Sequence, residues 1–193
     1  MVAVLKPGVD VVRATKMEDH DQNDWTIIAA AFKAQNADLG ERVLRELSRI
    51  ERYTFGYQID RYTHCLQTAT RALRAGADEE TVVCALLHDI GDDVAPYTHG
   101  DYAAAILKPF VSDENHWMIQ NHRTFQGYHF FHLMDQDRNA REIHRGHPGF
   151  ERTCRLCDEW DQTAFDPGYD TMPIEAFTPM VMRLFSRAPN RRS

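Results

Sequence analysis

Long apolar runs are missing from this 193-residue chain: the longest are short, such as Thr81 to Leu87, well under the ~18 residues of a membrane span. Excess basic charge is missing too. Against 29 acidic side chains stand 22 Lys and Arg, for a net charge of −7. Nucleic acids and anionic membrane surfaces are held by basic footprints, so neither is an expected partner. The opening MVAVLKPGVD lacks the basic-then-apolar pattern of a signal segment, and a cytoplasmic location is expected. Cysteine is scarce. Cys154-x-x-Cys157 has the spacing of half a zinc site, but Cys65 and Cys84 sit alone in apolar helical contexts, so all four read as reduced thiols. No convincing strand-period run and no internal repeat is present, which removes sheet and solenoid architectures.

What remains is helical patterning. Residues 1–22 are polar and mixed and read as a lead-in; residues 23–193 read as one helical domain. Apolar residues recur at helical spacing from Trp25 to Lys33 and from Leu39 to Glu51. Tyr57 to Ala75 carries a stripe of Ile59, Tyr62, Leu66, Ala69 and Leu73, and Gly76 supplies the stop. Asp78, Glu79 and Glu80 open the next helix, where the dipole favours acids. That helix runs to His88-Asp89, and Gly91 ends it. Shorter helices are expected from Asp101 to Phe110, from a Ser112 cap through His122, from Phe150 to Trp160 and from Phe177 to Phe185, with a turn at Asp166-Pro167-Gly168. The fold class is all-α.

The chemistry sits where this patterning is interrupted. His88 and Asp89 break a buried stripe, CALLHDIGD, and a buried carboxylate costs several kcal/mol unless it is paired or bound to metal. His64 lies about as far before the Gly76 turn as His88 lies after it. In antiparallel neighbours joined at that turn, equal distances place the two imidazoles side by side, ~18 Å from the turn at 1.5 Å per residue. Two imidazoles and a carboxylate then converge, as in a metal site.

The series His64, His88-Asp89, Asp161, with an apolar run before His-Asp and a glycine two positions after, resembles the ligand pattern of the HD superfamily. Most of its members are phosphohydrolases. His99 and His122 extend the series to one similar to the HD-domain diiron oxygenases, which include myo-inositol oxygenase and the bacterial phosphonate-cleaving enzymes. The short spacing is closer to the latter, over roughly residues 56–165. The resemblance implies a single HD-type helical bundle holding a mixed-valent pair of irons, Fe2+ and Fe3+. His64, His88 and Asp161 would hold one ion, His99 and His122 the other, and Asp89 would bridge them as the central catalytic group.

Departures from the family pattern bear on substrate. A gating tyrosine and glutamate fall at Thr54 and Tyr57 here. A histidine and a lysine expected near the phosphonate are Asp92 and Gln126. Tyr57, Tyr62, Asp92, Gln126 and Arg155 are the expected substrate contacts: an acid and aromatic faces for an ammonium head, and Arg152 or Arg155 for the anion. Arg123, ~100° around the helix from His122, need not face the metals, and His129 and His132 read as surface or hydrogen-bonded residues. The expected reaction consumes O2 to cleave a C–P or C–C bond of a small 1-hydroxyphosphonate bearing an amino or quaternary ammonium group, releasing phosphate. The alternative is a metal-dependent phosphohydrolase acting on a nucleotide or phosphomonoester.

Overall fold

A computed structural model describes residues 10–190. The start of the expected lead-in and the last residues of the Arg-rich end lie outside the described residues. The described chain divides into two compact units, one ending at Leu39 and the other beginning at Gly40, whereas the sequence pattern places its boundary after residue 22. The first unit contains α1 (Gln22–Asn36), opened by a reciprocal box in which Asp21 caps the Asp24 amide and Asp24 caps that of Asp21. None of the α1 residues is buried.

From Gly40 onward the core is helix against helix. α2 (Leu39–Ser48) buries Val43 and Leu47 and runs into a 3-10 turn that buries Ile50. α3 (Arg61–Arg74) starts later than its apolar stripe suggests, because Phe55 and Gly56 adopt positive φ and the chain turns before Asp60 caps the Thr63 amide. Its end has the Schellman pattern. Gly76 at φ 75° donates to Leu73, and Ala77 donates to Ala72. α4 (Glu79–Leu87), capped by Asp78, is buried from Thr81 to Leu87. α5 (His99–Leu107) begins at His99 rather than Asp101, and α6 (Asp113–Phe130) is capped by Ser112. α7 (Phe150–Arg155) continues into a π-helical turn over Leu156–Asp161, and α8 (Thr178–Phe185) closes the described chain.

Two helix pairs, α3 with α4 and α5 with α6, frame the interior, and the π turn packs on α3 and α6. Leu86, Leu87, Ile90, Leu107, Met118, Ile119, Phe125 and Leu156 fill it. Cys65, Cys84 and Cys157 are buried free thiols, and burial pushes all three up from the ordinary cysteine range. Cys154 and Cys157 pack with Phe125 and Phe150. The described elements are all helical, and among the described residues no helix is long and apolar enough to cross a membrane.

Candidate metal centre

Four helices and a widened turn bring six side chains to one point. His64 comes from the second turn of α3, His88 caps the C-terminus of α4, and Asp89 lies next to it in the chain. His99 opens α5 and His122 lies mid-way along α6. Asp161 is the last residue of the π turn, a form of helix frequent at functional sites.

The imidazoles are oriented from behind. Nδ1 of His64 bonds the Ala164 carbonyl at 2.9 Å, that of His88 the Ala85 carbonyl at 2.8 Å, and that of His122 the Ile119 carbonyl at 2.6 Å. His99 Nδ1 lies 3.3 Å from the Pro96 carbonyl. A carbonyl oxygen only accepts, so each Nδ1 carries a hydrogen and, in the neutral ring, each Nε2 presents a lone pair to the interior. Those nitrogens face one another and two carboxylates, an arrangement that could hold a metal cation.

Its spacings divide into two groups. His64 Nε2 is 3.1 Å from His88 Nε2, 3.1 Å from Asp161 Oδ1 and 3.4 Å from Asp89 Oδ2, and His88 Nε2 is 3.0 Å from Asp89 Oδ2. On the other side, His99 Nε2 and His122 Nε2 are 3.2 Å apart and lie 3.3 and 3.2 Å from Asp89 Oδ1. Ligand atoms on a common ion at ~2.1 Å sit ~3.0–3.4 Å from one another. Apart from His88 Nε2 to Asp161 Oδ1, at 3.7 Å, the separations in both groups fit that spacing, and each group uses a different oxygen of Asp89.

Burial opposes charge throughout this site, yet the partners outweigh it. His88 is held well above the ordinary histidine range by Asp89 and Asp161. Asp89 is held well below the carboxylate range by His88 and Arg61, and Asp161 below it by His64 and His88. Gln126 donates to Asp161 Oδ1 at 3.0 Å and fixes that carboxylate from α6.

Arg61 escaped the sequence reading. Its guanidinium is buried and bonds Asp89 through Nη2 and Asp92 through Nε, the latter at 2.7 Å. The rings of Phe55, Tyr57 and Phe165 lie around it at 5.8–6.0 Å. The one signal was its place: an arginine as first residue of a helix opposes the dipole, and something other than the helix must hold it there.

A cavity of about 290 Å³ opens over the ligands. Of the expected substrate contacts, Tyr57 and Gln126 line it, with Tyr57 stacked on Phe165 at 4.5 Å and Phe165 on His64 at 4.4 Å. The structure does not assemble the expected ammonium site. Asp92 is bonded to Arg61, which itself occupies the aromatic surroundings, and Tyr62 is not among the lining residues. Arg155 is elsewhere. It pairs with Glu159 at 3.2 Å and, with Arg152 and Trp160, lines a separate cavity, while Arg152 is tied to Thr81 and Asn115 at 2.9 Å. In their place the cavity is lined by Arg123 and His129. The lining residues of α6, from His122 to Phe130, spread over an arc of ~120° at 100° per residue, wide enough to take in Arg123.

A helical bundle whose histidines and aspartates converge in this way has the donor set of a metal site. The HD domain family model matches residues 61–163, over half of the sequence, and the chain belongs to the HD domain family. HD domains are in general metal-dependent enzymes, and the clusters His64–His88–Asp161 and His88–Asp89–His122 have the donors to hold divalent metal. No curated protein matches the chain.

Proposed function

We propose that the protein is a dinuclear iron oxygenase that uses O2 to cleave the C–P bond of a small 1-hydroxyphosphonate, giving a carboxylate and phosphate. The observation that carries the dinuclear reading is the division of Asp89, one oxygen facing His64 and His88 and the other facing His99 and His122. Six donors exceed what one ion needs while it also binds a substrate. Four imidazoles with only two carboxylates suit iron better than magnesium or calcium. When bound, the iron pair supplies Lewis acidity and one-electron redox steps. The reaction balances with both atoms of O2 in the products, one proton being released as the C–P bond breaks.

The protein's own groups have distinct tasks. Arg61 neutralises Asp89 and Asp92 and keeps the bridging carboxylate in place. Gln126 orients Asp161 through its amide nitrogen, and its Oε1 is buried with no partner, so it can accept from a substrate hydroxyl. Phe165 and Tyr57 stack outward from His64 and keep water off that side of the metals. A second reading, metal-dependent hydrolysis of a phosphomonoester, is favoured by the guanidinium of Arg123 at the cavity.

Metal analysis tests the first point. Wild-type protein should hold two ions per chain, His99→Ala and His122→Ala about one, and Asp89→Ala none. Full stoichiometry in the His99→Ala, His122→Ala double variant removes the dinuclear assignment. An EPR signal from coupled irons in partly oxidised protein, with O2 consumed in step with phosphate release, separates the two readings. Phosphomonoester turnover under argon, restored by Mn2+ or Mg2+, assigns hydrolysis instead.

A further inference from the structure

Resting on the two-metal reading, we infer that Arg123 and His129 form an oxyanion subsite in the cavity, with Asp158 as the positioning residue of His129, so that the substrate is anionic at both ends. The argument starts from the polar ladder between α6 and the π turn. Gln126 bonds Asp161 at 3.0 Å, and His129 Nε2 bonds Asp158 Oδ1 at 2.9 Å. Three residues separate the rungs on each strand of the ladder, which runs from a metal ligand at one end to His129 at the other. Arg141 donates to the same Asp158 oxygen at 2.8 Å and holds that carboxylate toward the ring.

With Nε2–H committed to Asp158, Nδ1 is the ring nitrogen left for a ligand. In the protonated form the ring donates from both nitrogens, to Asp158 on one side and to an anion on the other. Arg123 adds a full charge. Arg61, the other guanidinium at the cavity, is already bonded to Asp89 and Asp92, whereas no carboxylate pairs with Arg123 among the described residues. The acids that line the cavity are Asp89 and Asp161, both committed to the metal cage. An ammonium tail therefore finds no counter-ion here, and an oxyanion finds the guanidinium of Arg123, joined by His129 Nδ1–H where the anion binds together with a proton on the ring.

Geometry sets the length of the ligand. His129 lies seven residues beyond His122, or ~10 Å along α6. That rise is along the helix axis alone, and side chains that reach toward each other shorten the gap, so a short spacer, on the order of two or three carbon atoms, suits the two ends. A cavity of about 290 Å³ suits a molecule of that size.

Calorimetry of the two-zinc form tests this without turnover, using three phosphonates of matched length. Propylphosphonate has an apolar tail, phosphonopropionate a carboxylate, and aminopropylphosphonate an ammonium. Phosphonopropionate should bind about tenfold or more tighter than propylphosphonate, since each charge-assisted contact is a strong one. Arg123→Ala and His129→Gln should each remove most of that advantage while two zinc ions are retained. A bisphosphonate of the same spacing tells a carboxylate tail from a phosphonyl one; a gain with either supports the subsite. In Asp158→Asn the nitrogen NMR signals of His129 should shift from those of the wild type, because the bond from Nε2–H to a carboxylate is lost; unchanged signals overturn Asp158 as its positioning residue. Equal binding of propylphosphonate and phosphonopropionate, or an advantage that survives both substitutions, overturns the subsite alone. A preference for aminopropylphosphonate assigns a cationic tail in its place. Failure to hold two zinc ions overturns the two-metal reading and this inference with it, whereas failure of every phosphonate to bind while two zinc ions are held overturns the phosphonate reading and the subsite.

Discussion

Replacing Arg61 with leucine keeps most of the side-chain volume and removes the charge that faces Asp89 and Asp92. In the metal-loaded protein Asp89 still has its cations, so the cost falls on Asp92. The side chains of Arg61 and Asp92 are 11% and 6% exposed, which leaves solvent little room to screen the pair. Breaking a buried pair by removing one partner costs ~3–5 kcal/mol, because it strands the other charge. Arg61→Leu should therefore lower unfolding free energy by about that amount at neutral pH, measured by urea denaturation. Adding Asp92→Asn should restore part of the loss, since the stranded charge is then absent. The pH dependence has a definite sign. Burial and Asp89 already raise Asp92 above the usual carboxylate range in the folded protein, with Arg61 opposing them. Without Arg61 it rises further, so the folded variant binds a proton that the unfolded chain releases. The variant then recovers stability as pH falls through the raised value and loses it as pH rises. As a comparison, Arg183 and Glu79, 59% and 30% exposed, form a pair of the kind worth ~0–1 kcal/mol. A loss below ~1 kcal/mol for Arg61→Leu, or no coupling to Asp92→Asn, would refute the placement of Arg61 as the internal counter-charge.

Two further substitutions probe the helix packing and the expected anion contact. A Cβ at Gly100 would lie 3.2 Å from the carbonyls of Ile119 and Gln120 and 3.3 Å from His122 Cε1, so Gly100→Ala should push α5 from α6. The expected result is a loss of ~1–3 kcal/mol, typical of overpacking, with weakened binding of the ion between His99 and His122 and little change at the other; unaltered binding at both counts against this packing. Arg155→Ala should leave metal content and ligand affinity unchanged and cost no more than ~1 kcal/mol of stability, since its contacts are the exposed Glu159, the Ala75 carbonyl and the Trp160 ring; a tenfold loss of phosphonate affinity would return Arg155 to the substrate.

Half of the candidate ligands are legible from pattern alone: His88 and Asp89 follow a helix buried from Thr81 to Leu87, and the Gly76 turn makes His64 their neighbour by equality of length, with the Nε2 atoms of His64 and His88 3.1 Å apart. His99, His122 and Asp161 stand out only through the resemblance, because no local pattern marks them. The substrate contacts were not legible in the same way. Tyr57, Tyr62 and Asp92 are near the ligands in sequence, but nearness in sequence does not say what fills the space between side chains, and Arg61 fills it. Arg155 is near Asp161 in sequence, but six residues at 100° each put the two ~120° apart around a helix, and Arg155 pairs with Glu159 instead.

Charge joins the two scales. A net charge of −7 speaks against polyanions over the surface as a whole. The cavity has the opposite balance: two divalent ions would more than offset Asp89 and Asp161, and Arg123 adds a charge with no acid lining the cavity to cancel it. An acidic exterior around a pocket made positive by bound metal would disfavour large anions and admit small ones. The same logic limits the hydrolytic reading, because a nucleotide would present several phosphates where the cavity offers a single unpaired guanidinium. A compact substrate with one oxygen-rich end on the metals and a second anionic end near His129 matches the charge and the size together.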